Sequence, residues 1–195
     1  MSTQQASAHF TPVPLDKSYR LMNHGPTVLV SARHAGQSNV MAAAWACVLD
    51  FGQSPKVTVV LDKATRTRAL IEQSGFFALQ LPTVAQARMT VGVGSDSLND
   101  VPDKLQRHGV PLFDAPGFDL PLVAGCVGWL VCRLVNEPHN QQTYDLFIGE
   151  VLAAWADERV FANGRWQFDA APEELRTIHH VAGGQFLVSG RDLRT

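Results

Sequence analysis

Few features of this sequence point toward metal, nucleic-acid or membrane chemistry. Cysteine is scarce, with three in 195 residues. Cys47, Cys126 and Cys132 form no CxxC pair and each lies among apolar neighbours. They read as buried, reduced thiols of a cytoplasmic protein, and a zinc site would need denser Cys/His clustering. Positive charge is not in excess: 16 Lys and Arg against 18 Asp and Glu leave a net charge of −2. That gives no basic field for nucleic acid or an anionic membrane. No apolar run approaches the ~20 residues of a membrane-spanning helix. Residues 1–10 lack the basic start and hydrophobic stretch of a secretory leader. Internal repeats and low-complexity linkers are also missing. What remains is ordinary for a globular chain, 46% hydrophobic and 17% charged, of a length that suits one domain. We expect a flexible lead over residues 1–13 and a single domain over 14–190.

Hydrophobic periodicity divides that domain into strands and short helices. Residues 16–21 fit one or two helical turns before the breaker Asn23-His24-Gly25-Pro26. Residues 27–33 alternate, with Val28, Val30 and Ala32 on one face. His34-Ala35-Gly36 reads as a hairpin turn, 39–48 as a second strand and 57–61 as a third. Thr65 is placed to cap a helix that ends at Ser74 before Gly75. Phe76–Leu81 returns to strand, and Thr83 with Gln86 forms a capping-box pattern for another helix. Residues 101–108 predict a short helix, and 127–134 and 144–155 predict long strands. The last is apolar on both faces, which suits a closed barrel or an interface. A final helix over 172–177, a link over 179–184 and a strand over 185–189 complete the reading. Helices and strands do not alternate regularly, which argues against a doubly wound parallel sheet.

Gly92-Val93-Gly94 lacks both the third glycine and the preceding strand of a dinucleotide fingerprint. No P-loop, GxSxG or HExxH motif occurs. His179-His180 is no metal site, because neighbours on a strand or loop point apart and no carboxylates support them. Two other stretches carry more. Asn39-Val40-Met41-Ala42-Ala43-Ala44-Trp45 sets slim residues in a row. Small side chains let a flat ligand reach backbone N–H and C=O groups; a tight strand-to-helix contact explains them equally. Leu61-Asp62-Lys63-Ala64-Thr65-Arg66-Thr67-Arg68 gathers two hydroxyls and three cations where a strand ends and a helix begins. It reads either as a phosphate seat at a helix N-terminus or as an N-cap threonine among solvated charges.

Residues 39–82, NVMAAAWACVLDFGQSPKVTVVLDKATRTRALIEQSGFFALQLP, resemble the flavin reductase-like family, and especially its flavoredoxin-like branch. The shared features are an Asn-Val-Met strand of small residues, a proline before the next strand, and an Arg/Ser/Thr turn into a helix ending Ser-Gly-x-Phe. Ser95 with Asp103-Lys104, the stretch 121–132, and Leu146-Phe147-Ile148-Gly149-Glu150-Val151 resemble later family segments. The likeness runs over about residues 15–190. It implies a mainly β fold, the FMN-binding split β-barrel, an antiparallel Greek-key barrel with a few peripheral helices. It implies an oxidoreductase that uses FMN, with FAD possible, and NAD(P)H as co-substrate. Asn39, Met41, Ala42, Ala43 and Ala44 would line the isoalloxazine ring, mostly through backbone groups. Asp62, Lys63, Thr65, Arg66 and Thr67 would surround the ribityl and phosphate end. No catalytic side chain is implied. A homodimer with flavin at its interface is implied too. Alternatives are an electron carrier reduced by a partner protein and a non-catalytic ligand-binding barrel. Three positions depart from the family pattern: Tyr144 stands where a histidine is usual, Gln80 where asparagine is, and Val131 where glutamate is.

Overall fold

A computed structural model of the chain describes residues 12–22, 25–191 and 193. Most of the expected lead, residues 1–11, lies outside them, as do Asn23 and His24 of the breaker. Ala35 and Gly36 both take left-handed backbone, with φ of 48° and 79°. A two-residue hairpin turn of the matching twist requires this. They join β1 (Val28–His34) to β2 (Gln37–Ala43), with Val30 opposite Met41. The strand expected over 39–48 is broken: Ala44 and Trp45 leave it, and β3 (Ala46–Val48) pairs instead with β4 (Lys56–Val60).

The chain continues through α1 (Arg66–Ser74), β5 (Phe76–Leu81), α2 (Ala87–Ser95) and α3 (Lys104–Arg107). A hairpin of β6 (Leu112–Asp114) and β7 (Pro121–Val123) precedes β8 (Gly128–Val135), α4 (Pro138–Tyr144) and β9 (Leu146–Ala156). Two small hairpins close the chain, β10 (Phe161–Ala162) with β11 (Arg165–Trp166) and β12 (Ile178–Ala182) with β13 (Gln185–Val188). Gly75 ends α1 as expected, at φ 76° with its N–H on the Ile71 carbonyl.

Seven strands form one antiparallel sheet in the order β2-β1-β5-β8-β9-β4-β3. Its two edges, β2 and β3, are consecutive in the chain and separated only by Ala44 and Trp45. Such a link spans at most ~11 Å, so the sheet must curl until its edges nearly meet. The product is the mainly β, Greek-key split barrel expected, with its seam between β2 and β3. Val28, Val30 and Ala32 do share a face. They point inward with Val57, Val59, Phe77, Leu79, Cys132 and Phe147, and α1 adds Leu70 and Ile71. Leu29 points outward with Val40 to meet Val93 of α2. Gly149 belongs to this core: a Cβ there would lie 2.4 Å from Phe77 Cζ and 2.9 Å from Cys132 Cβ. Among the described residues, no helix is long and apolar enough to cross a membrane.

Several expectations need correction. Cys126 and Cys132 are buried, and burial pushes their thiols up to about 12. Cys47 is exposed, because it lies on the edge strand β3. The strand expected over 144–155 begins only at Leu146, since Tyr144 closes α4 and Asp145 follows in left-handed backbone at φ 54°. The helix over 172–177 is a three-residue turn, Glu173–Leu175. His179 and His180 lie on β12 rather than in a link.

Candidate functional site

As an edge strand, β2 pairs only with β1. Alternate backbone N–H and C=O groups on its far side therefore have no partner in the sheet. Three adjoining hollows run along this strand. One, of about 470 Å³, lies between Asn39, Met41, Asp62, Thr65, Arg66 and Thr67 on one side and Gly94, Ser95, Asp96, Ser97, Asn99 and Lys104 on the other. A second, of about 280 Å³, shares Met41 and Asp62 with it and continues along Ala42–Trp45 to Val60 and Asp145. A third, of about 300 Å³, shares Gly94 and Ser95 and sets Ala42, Ala43 and Ala44 against Thr90, His180 and Phe186. Every site residue expected from the sequence lines this cleft except Lys63.

The three cations of the 61–68 run have separate fates. Lys63 Nζ donates to the Gln142 carbonyl at 2.6 Å, near the C-terminal end of α4. The free carbonyls of a helix end favour a cation there, so the expected phosphate-seat lysine serves as a helix cap. Arg66 lies on the cleft and holds Gln37 Oε1 through Nε and Nη2 at 2.8 and 2.5 Å. Arg68 turns inward and is 3% exposed. It donates to Asp145 at 2.5 Å, Glu72 at 3.0 Å and the carbonyls of Leu61 and Gln141. It also lies 5.1 Å over the Phe147 ring. Burial works against its charge, but the bonds to Asp145 and Glu72 outweigh this and raise its pKa. Thr65 occupies the N-cap position of α1, yet its hydroxyl donates back to the Asp62 carbonyl at 2.8 Å.

Both readings of the slim stretch hold in part. A Cβ on Gly94 would sit 3.2 Å from Ala42 Cβ, so α2 and β2 do pack closely. Gly92 likewise admits His108, whose Nδ1 would be 2.2 Å from a Cβ there. The GxG pair is thus a packing device. The alanines nevertheless leave open space on the cleft side.

The sequence by itself gives Lys104 no role in the site. Lys104 is 2% exposed and its ammonium makes no hydrogen bond or ion pair with any described residue. Burial lowers its pKa to about 8, with Asp96 opposing the fall. The Asp103-Lys104 pair was the only signal, because nothing local in the sequence places it opposite Thr65 and Thr67. Asn39 is 2% exposed; its Nδ2 donates to Thr67 Oγ1 at 2.9 Å while its Oδ1 has no partner. A buried, unmatched carbonyl is costly unless a ligand completes it, and the largely buried Lys104 side chain lines the same cleft. The donors suit a phosphate at the Lys104 end, and the open alanine edge suits a flat ring with polar atoms on its rim. The residues present therefore fit a mononucleotide-like flavin.

Fold and cleft together define a split barrel of the flavin-reductase type. The chain belongs to the flavin reductase like domain family, whose pattern matches residues 19–171. It is 44% identical over 187 residues to the uncharacterized protein YddH of Escherichia coli K12, covering 94% of this chain and 97% of that protein. It resembles the solved FMN-binding domain of a flavin reductases-like enzyme from Shewanella baltica OS155. The TM-score is 0.86 at 58% identity, over 95% of this chain and 96% of that one. Flavoredoxin of Desulfovibrio vulgaris (Miyazaki F) matches with a TM-score of 0.73 and 25% identity, over 88% and 90% of the two chains.

Proposed function

We propose that this protein is an FMN-dependent oxidoreductase that accepts reducing equivalents from NADH or NADPH. The observation that carries the reading is Lys104, buried and unpartnered at one end of a cleft whose other end is the slim open edge of β2. Lys104 and the hydroxyls of Thr67 and Ser97 would hold the phosphate, with Arg66 at the rim. Asn39 Oδ1 would accept from a ribityl hydroxyl or a ring N–H. Backbone groups of residues 41–44 would orient the polar rim of the ring. Bound there, FMN supplies the hydride and electron chemistry that no side chain can. The protein's part is to bind, orient and shield, which accounts for the lack of a catalytic acid–base pair in the sequence.

We also propose that two copies associate across the seam. Support comes from the apolar surface beside β3, where Val48, Leu49 and Phe51 are exposed and Phe51 is 97% so. A second reading, an electron carrier reduced by a partner protein, draws on Tyr144, which stands at the family's histidine position and is exposed at the end of α4.

Absorbance and stopped-flow measurements test these readings. Purified protein soaked in FMN and desalted is expected to stay yellow and to bleach within seconds on mixing with NADH or NADPH. A colourless product refutes the flavin site. A yellow product that neither nicotinamide bleaches over minutes refutes the reductase reading and favours the carrier.

A further inference from the structure

We infer that Asp96 is a tethered counter-ion for Lys104: His108 holds its carboxylate beside the phosphate end of the cleft but off the ammonium, which is thereby left for a phosphate. Such a device matters only if that hollow takes a phosphate, so it rests on the flavin reading. Asp96 stands in an unfavourable place. It caps the C-terminal end of α2, with its N–H on the Gly92 carbonyl at 3.0 Å, where free carbonyls already carry partial negative charge. It also lines the hollow that would receive an anion. A carboxylate so placed works against both the helix end and the ligand, and its cationic neighbours supply a reason for it.

Lys104, Arg107 and His108 approach this carboxylate from one turn at α3. His108 Nε2–H donates to Asp96 Oδ2 at 2.8 Å, since an ionised carboxylate only accepts. Arg107 Nη1 stands 3.8 Å from the same oxygen and is half-exposed. Lys104 makes no ion pair with Asp96, yet the attraction of Asp96 opposes the loss of charge that burial imposes on the lysine. The other charged side chains on the hollow are Asp62, Arg66 and Asp100. Asp62 Oδ1 accepts from the Ala64 N–H at 2.7 Å, and Arg66 holds Gln37. The tether depends on Gly92. A Cβ there would lie 2.2 Å from His108 Nδ1 and 2.5 Å from its Cε1, so only a bare stretch of α2 admits the ring. The His108 N–H also bonds the Lys104 carbonyl at 3.1 Å, which joins the tether and the lysine in one turn. With the His108 ring displaced, Asp96 can close on Lys104 and compete with a phosphate. With Asp96 neutral, Lys104 loses its counter-ion.

The two losses should move one measurement in opposite directions. Lys104 is titrated by NMR in the flavin-free protein, and FMN affinity is followed by fluorescence over the same pH range, with riboflavin as the control for the ring. Asp96→Asn should move the Lys104 titration, and with it the alkaline fall in FMN affinity, down by about one pH unit, the low end for loss of a nearby opposite charge. Gly92→Ala changes no residue lining the three hollows and favours a helix. It should move both upward and weaken FMN binding about 3- to 10-fold at neutral pH, the range of one hydrogen bond lost to a competitor. His108→Gln, whose amide can still donate to Asp96 but carries no charge, should leave both in place. Riboflavin affinity should not change in any of the three. Asp96→Asn and Gly92→Ala shifting the Lys104 titration the same way, or neither shifting it, overturns the inference and leaves the flavin site intact. Opposite shifts in a protein that binds no FMN sustain the tethered counter-ion and overturn the flavin reading.

Discussion

Lys104, 2% exposed and without an ion pair to any described residue, gives the proposed cofactor site its sharpest test. Replacing it with glutamine should weaken FMN binding by about 10- to 100-fold, as for a lost charge-assisted hydrogen bond, and leave riboflavin binding unchanged. Fluorescence titration of both flavins reads this directly. Lys63→Ala should change FMN affinity less than about twofold, because its ammonium caps α4. The titration of Lys104 adds a pH signature. Its folded pKa of about 8 lies below the ordinary 10.5, so the unfolded chain binds more protons between those values. Stability of the flavin-free protein should therefore rise with pH across that window, seen as a higher urea midpoint at pH 9.5 than at pH 7.5. FMN affinity should move the other way, since the ammonium needed for the phosphate is lost above about pH 8. Lys104→Gln should flatten both profiles.

Elements differ in how openly the sequence declares them. β4 follows the period of two, β1 ends at the Ala35-Gly36 turn, and α1 is bracketed by Thr65 and Gly75 with β5 directly after it, so each is legible locally. The break between β2 and β3 is not, because the run of small apolar residues passes through it unchanged. α4 has no apolar stripe in PHNQQTY; Arg68 and Lys63 secure its C-terminal end from elsewhere. The β6–β7 hairpin depends on distant groups as well. Ser31 donates to the Pro121 carbonyl at 2.5 Å, and Gln80 bridges Ser31 at 2.9 Å and the Val123 N–H. The same distinction runs through the site: residues 39–44 and 62–67 are contiguous and were visible, whereas Lys104, Thr90 and His180 arrive from remote segments. Arg68→Ala should cost about 2–4 kcal/mol, less than for a fully buried pair since Asp145 and Glu72 are part-exposed. Hydrogen exchange should quicken first in α4. Gly149→Ala should cost about 1–3 kcal/mol by crowding Phe77 and Cys132, and Phe77→Leu in the same chain should return part of it.

At the scale of the whole molecule, the sheet is a ribbon whose first and last strands, neighbours in sequence, meet at a seam, and the proposed cofactor lies along β2 beside it. If a second copy covers that seam, Phe51→Asp should shift light scattering from dimer toward monomer and weaken FMN binding together. A shift in assembly with unchanged FMN affinity would separate the interface from the cofactor site. The link through Ala44 and Trp45 has one more consequence. It acts as a clasp on a rolled sheet: reopening the chain at that point and joining the two chain ends elsewhere would leave all six strand pairings of the sheet available, yet nothing covalent would hold the rims at a flavin's width. Such a permuted protein should fold, unroll by degrees as it warms, and lose its grip on the cofactor well before it loses its strands.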